Sequence, residues 1–233
     1  MSEQPSEPGR VERIGTSRLE AFSDGVMAVI ITITALSLKA PNGSSVSALG
    51  HRLPALFIYV LSFAFVGIYW NNHHHLLRTT RHIDGGVMWS NLHLLFWLSL
   101  IPVVTEWIGN SYRDAWPAAT YGIVAFGAAI AFSVLVRMII RANGRESTVA
   151  RAIGADAKGR ISLLIYMAGI GFAFVSPWIS YGLYAAVAIM WFIPDRRLTR
   201  QVPSQSAPPF NRSWPGGPLD AHERGKSAYQ SDE

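Results

Sequence analysis

A carboxylate, a series of hydroxyls and three consecutive histidines stand inside otherwise apolar stretches of this chain of 233 residues. Asp24 lies within the apolar segment 18–38, after Arg18 and before Thr32, Thr34 and Ser37. His73, His74 and His75 close the segment 54–76, and Trp89, Asn91 and His93 open the segment 86–109. Groups of this kind can bond helices together, carry a proton or ion, or ligate a metal. At about 100° per residue, Phe22, Gly25, Val29, Ile33 and Leu36 share one stripe of a helix, with Thr32 beside it. Ser23 and Asp24 point away from that stripe. An ionised carboxylate facing hydrocarbon costs about 3 kcal/mol even on lenient scales, so Asp24 needs a partner inside a helix bundle. Trp70, His73, Asn91 and His93 lie near its depth if successive segments cross in opposite directions. These residues read most simply as a hydrogen-bonded knot among the first three helices. A proton-carrying or ion-binding role for Asp24 stays open beside it.

Metal ligation is not expected. Consecutive helical side chains point about 100° apart, so at most two of the three histidines converge, and no His or Glu four residues from them completes a site. Glu106, after Pro102 and before Trp107, reads as an interfacial acid, and Pro102 should kink its helix. Enzyme signatures are absent: there is no Gly-x-Ser-x-Gly elbow, phosphate loop or His-Glu-x-x-His pattern. The potassium-filter run Thr-Val-Gly-Tyr-Gly is absent as well.

The elements that must position these groups are membrane helices. Half of the residues are hydrophobic and 15% are charged, against about 25% charged in soluble domains. Apolar runs at 18–38, 54–76, 86–109, 117–140, 161–176 and 179–193 predict an all-α integral membrane protein with six spans. No cleavable signal precedes the first run, which should act as its own insertion signal. Fourteen Lys and Arg flank the runs on the side of the termini and three on the other, which predicts cytoplasmic N- and C-termini. That placement accounts for the net charge of +5 without a nucleic-acid partner. Residues 1–15 and 196–233 are polar and rich in Pro, Ser and Gly and should be disordered, leaving 16–195 as the membrane domain. The loop 141–160 could hold a short basic surface helix, and "SPW" at 176–178 should turn the last hairpin, whose helices are short for a span. No cysteine is available for disulfides or thiolate sites.

"RLEAFSDGVMAVIITITAL" resembles the first-helix signature Arg-x-x-x-Phe-Ser-Asp of the transmembrane protein 175 family of potassium channels, with Arg18, Phe22, Ser23 and Asp24 at its positions. "YWNNHHHLLR" is similar to the family's second-helix ending Trp-x-x-His, at Trp70 and His73, and "WSNLHLLFWLSLIPVVTEWIG" to its third helix. The likeness covers about residues 14–195. It implies a homotetramer of six-helix subunits whose first helices line a potassium pore. It further implies a hydrogen-bond network among the first three helices, to which Arg18, Phe22, Ser23, Asp24, Trp70, His73 and Asn91 are assigned. The family's hydrophobic constriction falls on Val29, Ile33 and Leu36, and its hydroxyl layer on Thr32. Valine at position 29, where the family commonly has isoleucine, points to a wider constriction and weaker selectivity. The function implied is leak-type, passive potassium conduction across the cell's inner membrane, with potassium as permeant, lipid as surroundings and no cofactor. A secondary transporter or a proton-conducting protein on the same scaffold is the alternative. The lack of repeated halves and the charges gathered near span ends disfavour the transporter.

Overall fold

The computed structural model describes residues 8–41, 43, 45–144, 147 and 157–192. The expected disordered tail and the basic surface helix lie outside these residues, apart from the ends of that loop. The first helix, α1, spans Pro8–Leu36 and so begins inside the segment expected to be disordered. It ends in a turn in which the Ser37 and Leu38 amides bond back to Ile33 and Ala35, and Pro41 follows. A one-turn helix α2 (Val46–Gly50) starts at Ser45, whose hydroxyl accepts from the Ala48 amide at 3.2 Å. Pro54 stands in the first turn of α3 (Leu53–Arg78), where a missing amide hydrogen costs nothing.

Asp84 caps α4 (Gly85–Ser99) by accepting from Val87 N at 2.8 Å. The helix breaks at Leu100 and resumes as α5 (Ile101–Asn110). Pro102 explains the position of that break, since it cannot donate to the Leu98 carbonyl and its ring crowds that oxygen. α6 (Ala115–Asn143) is the longest apolar helix and ends at Gly144, whose φ of 89° suits glycine. α7 (Ala157–Phe172) and α8 (Pro177–Phe192) form the last pair. Their turn occupies 173–176, earlier than the expected "SPW" turn, because Pro177 serves as the first residue of α8.

Among the described residues, four stretches are long and apolar enough to cross a membrane: Gly15–Leu36, Leu53–Arg78, Gly85–Asn110 and Ala115–Asn143. α7 and α8 have 16 residues each, about 24 Å of helix against a hydrocarbon core of roughly 30 Å. α6 forms the middle of the bundle and packs against α4, α5, α7 and α8, while α1 lies on α3, α4 and α5. Small residues let α6 approach its neighbours closely. A methyl group at Gly127 would enter the Trp97 ring, and one at Gly122 or Gly169 would enter Tyr184. The Tyr184 hydroxyl instead donates to the Ala118 carbonyl at 3.1 Å.

Candidate functional site

The two faces of α1 differ in what they touch. Ser23, Met27, Ile30 and Thr34 are buried against the bundle. The opposite face carries Phe22, Val29, Ile33 and Leu36, which are 51%, 55%, 49% and 79% exposed. Gly25 and Thr32 are exposed with them. Thr32 donates its hydroxyl hydrogen to Ala28 O at 2.9 Å, which leaves oxygen lone pairs outward. Thr34 makes the same bond to Ile30 O at 2.7 Å, but on the buried side. The two threonines therefore differ in access, and only Thr32 can meet an ion or water beside the stripe.

Near the start of the apolar part of α1, three helices meet in a dry hydrogen-bonded chain. His73 on α3 and Asn91 on α4 are both fully buried, with His73 Nε2 2.7 Å from Asn91 Oδ1. The Asn91 amide donates to Ser23 Oγ at 2.9 Å, and Ser23 donates to Leu19 O at 2.9 Å. Asn91 Oδ1 can only accept, so this arrangement puts a proton on His73 Nε2. His73 Nδ1 is buried with no hydrogen-bond partner among the described residues.

A second group, half-buried, lies beside it. Trp70 Nε1 donates to Asp24 Oδ1 at 3.0 Å, and its indole stacks on His74 with ring centres 5.9 Å apart. His74 Nδ1 lies 2.7 Å from Glu20 Oε1, close enough for an ion pair yet off the direction of a hydrogen bond. Glu20, Asp24 and His74 each offer a ligand atom within 4.8 Å of the others. That set has the chemistry to hold a cation, although Trp70 and the Glu20–His74 pair already occupy part of it. Asp24 therefore meets its Trp70 donor half-buried, at the edge of the knot.

Two assigned members stand outside the network. Arg18 is exposed and makes no hydrogen bond or ion pair among the described residues, and Phe22 faces outward on the stripe. Helical rotation explains both: Arg18 and Phe22 are neighbours of Ser23 and Asp24 along the chain but project from the other side of α1. Glu20 enters instead. Its signal was its place one turn before Asp24, which puts both carboxylates on one face. His75 is exposed, and His93 accepts from Trp97 Nε1 at 3.0 Å within α4. Glu106 pairs with Lys39 at 3.7 Å across a half-exposed gap, as suits an interfacial acid. Ser62 Oγ lies 2.7 Å from Thr105 Oγ1 and 3.3 Å from the Tyr121 hydroxyl, joining α3, α5 and α6 in a buried group that sequence reasoning missed.

The family model described as the endosomal/lysosomal potassium channel TMEM175 matches residues 18–102, the stretch that holds every member of both groups. A potassium channel from Chryseobacterium sp. (strain P1-3) is 50% identical over 185 residues, covering 79% of this chain and 96% of that protein. The endosomal/lysosomal proton channel TMEM175 of Homo sapiens is 37% identical over 82 residues, 30% of this chain and 16% of its own length. The crystal structure of a lysosomal potassium-selective channel TMEM175 homolog from Chamaesiphon minutus aligns with a TM-score of 0.69 at 26% identity, covering 76% of this chain and 96% of that one. By extent and identity, the chain belongs to the TMEM175 potassium channel family.

Proposed function

We propose that this protein is a leak-type potassium channel of the cell's inner membrane, built from four copies with both termini in the cytoplasm. Each subunit contributes six helices, and the outward stripe of α1 lines the permeation path. The observation that carries this reading is the exposure of Phe22, Val29, Ile33 and Leu36 on a helix that lies against α3, α4 and α5 with its other face. Val29 and Leu36 are two turns apart, about 10 Å along the axis, so four copies would make a long apolar constriction. Such a wall restricts ions by narrowness and dewetting, while a hydroxyl beside it can replace part of the hydration shell. Thr32 supplies that hydroxyl. Proton conduction is the second reading, supported by the titratable group Glu20, Asp24 and His74 beside the knot.

Reconstitution into liposomes with a potassium gradient tests both. Passive potassium flux that exceeds sodium flux, with little proton flux, is the expected outcome. Proton flux without potassium flux would favour the second reading. No flux of either ion would refute both.

A further inference from the structure

Arg18 is a charged residue of α1 that the hydrogen-bonded groups do not absorb. Eighteen residues separate it from Leu36. At about 100° per residue that separation is five full turns, so the two share one line along α1. Phe22, Gly25, Val29 and Ile33 fall within about 60° of the same line, and all of them are exposed. Glu20 and Asp24 project from the far side, where His74 and Trp70 engage them. Between Arg18 and Leu36 the stripe thus carries one cation and, among the described residues, no carboxylate against it.

We infer that Arg18 forms a ring of positive charge at the cytoplasmic mouth of the pore and sets the conductance there. This rests on the proposal that α1 lines the permeation path. Arg18 lies 11 residues before Val29, about 16 Å below the start of the constriction. It acts through its field. A cation on the axis about 10 Å from each of four such charges is depleted about sevenfold at 0.01 M salt, about threefold at 0.1 M, and hardly at all at 1 M. The ring therefore lowers the supply of potassium from the cytoplasmic side without choosing between potassium and sodium, which carry equal charge.

The test is current through planar bilayers in symmetric potassium chloride, comparing the wild type with Arg18→Gln and Arg18→Lys. Arg18→Gln should raise the current from the cytoplasmic side several-fold at 0.01 M and leave it unchanged at 1 M. Arg18→Lys should follow the wild type, and the potassium-to-sodium permeability ratio should be the same in all three. The natural chain has no cysteine, so Ile33→Cys provides a separate control in which a thiol reagent should block the current. A blocked Ile33→Cys channel with Arg18→Gln unchanged at 0.01 M would overturn the ring and spare the pore. An unblocked Ile33→Cys channel with Arg18→Gln also unchanged would overturn both. An Arg18→Gln effect that follows the fraction of anionic lipid and not the salt would place Arg18 against lipid and also overturn the ring.

Discussion

Asn91→Ala should be the most destabilising change in the knot, and its effect can be worked from its two bonds. Asn91 is fully buried and accepts from His73 Nε2 while donating to Ser23 Oγ. Truncation costs the two partners unequally. Ser23 keeps its bond to Leu19 O, whereas His73, already without a hydrogen bond at Nδ1, is left with none. A fully orphaned buried polar group costs about 1–3 kcal/mol, and interhelical hydrogen bonds in membranes average about 0.6 kcal/mol with a maximum near 1.7. About 2 kcal/mol is therefore expected, or about 4–8 °C in melting temperature for a chain of this size. Asp24→Ala should cost less, about 0.5 kcal/mol, the low end for one hydrogen bond, because Asp24 is half-buried and the single bond it loses is to Trp70, itself 43% exposed. Replacing both buried partners, His73→Leu with Asn91→Leu, leaves His73 no longer present to be orphaned and should recover much of the loss. Thermal unfolding in detergent, followed by the loss of monodisperse protein, measures all of these. An Asp24→Ala variant that melts as low as Asn91→Ala, or a double variant that falls by the sum of its singles, would refute the reasoning.

Flux in liposomes should respond to the stripe: Ile33→Ala should raise it and weaken preference for potassium, Ile33→Trp should reduce it, and Thr32→Ala should alter preference with little change in melting. Equal flux and preference in all three would move the path away from α1. Gly127→Ala should lower stability by about 1–3 kcal/mol through overpacking, since its methyl group meets Trp97; a melting temperature equal to the wild type would show that α4 and α6 can part at no cost. Millimolar chelator should leave melting and flux unchanged, because His73 and His74 already have protein partners, and stoichiometric zinc lost on His74→Ala would contradict this. Reporter fusions after Arg200 and within 142–158 should read cytoplasmic, and one within 42–50 external; an external C-terminus would mean an odd number of crossings.

The legible parts of the sequence were those where a polar group sits where water is absent. Ser23, Asn91 and His73 stand in apolar segments, and hydrocarbon offers them no partner, so each had to find another. Depth along antiparallel spans then selected which groups could meet. The same logic brings the Trp70 indole to Asp24. What was less legible has equally specific causes. Arg18 and Phe22 sit in one motif with Ser23 and Asp24, but proximity along a helix is not proximity in space, and a rotation of 100° per residue separates them. Glu20 stands one turn before Asp24, but its partner His74 comes from α3, a pairing that spacing along α1 does not reveal. The hairpin turn depended on whether Pro177 ends one helix or begins the next, which its own residue type does not decide. The group of Ser62, Thr105 and Tyr121 joins three helices through side chains common in any apolar span, so nothing in their spacing announced it.

An apolar exposed face is ambiguous in a membrane protein, because lipid, a neighbouring subunit and a dewetted pore all accept leucine and isoleucine. Two exposed faces elsewhere in the bundle are wholly apolar. On α3 the exposed residues from 53 to 63 are Leu53, Leu56, Phe57, Val60 and Phe63, and on α8 they are Trp178, Ile179, Gly182, Ala186, Ile189 and Phe192. None carries a hydroxyl or a charge. The stripe of α1 differs in having the outward oxygen of Thr32 within its apolar rows and Arg18 in line at its end. A hydroxyl whose hydrogen is satisfied by its own helix gains nothing from lipid, yet it can coordinate a partly dehydrated ion. Valine at position 29 fits the same division of labour: its side chain is one methylene shorter than isoleucine, so if the stripe lines the pore, Val29 should leave more room than Ile33 and Leu36. Discrimination should then depend on Ile33 and Thr32, one residue apart at the same height, more than on either end of the stripe.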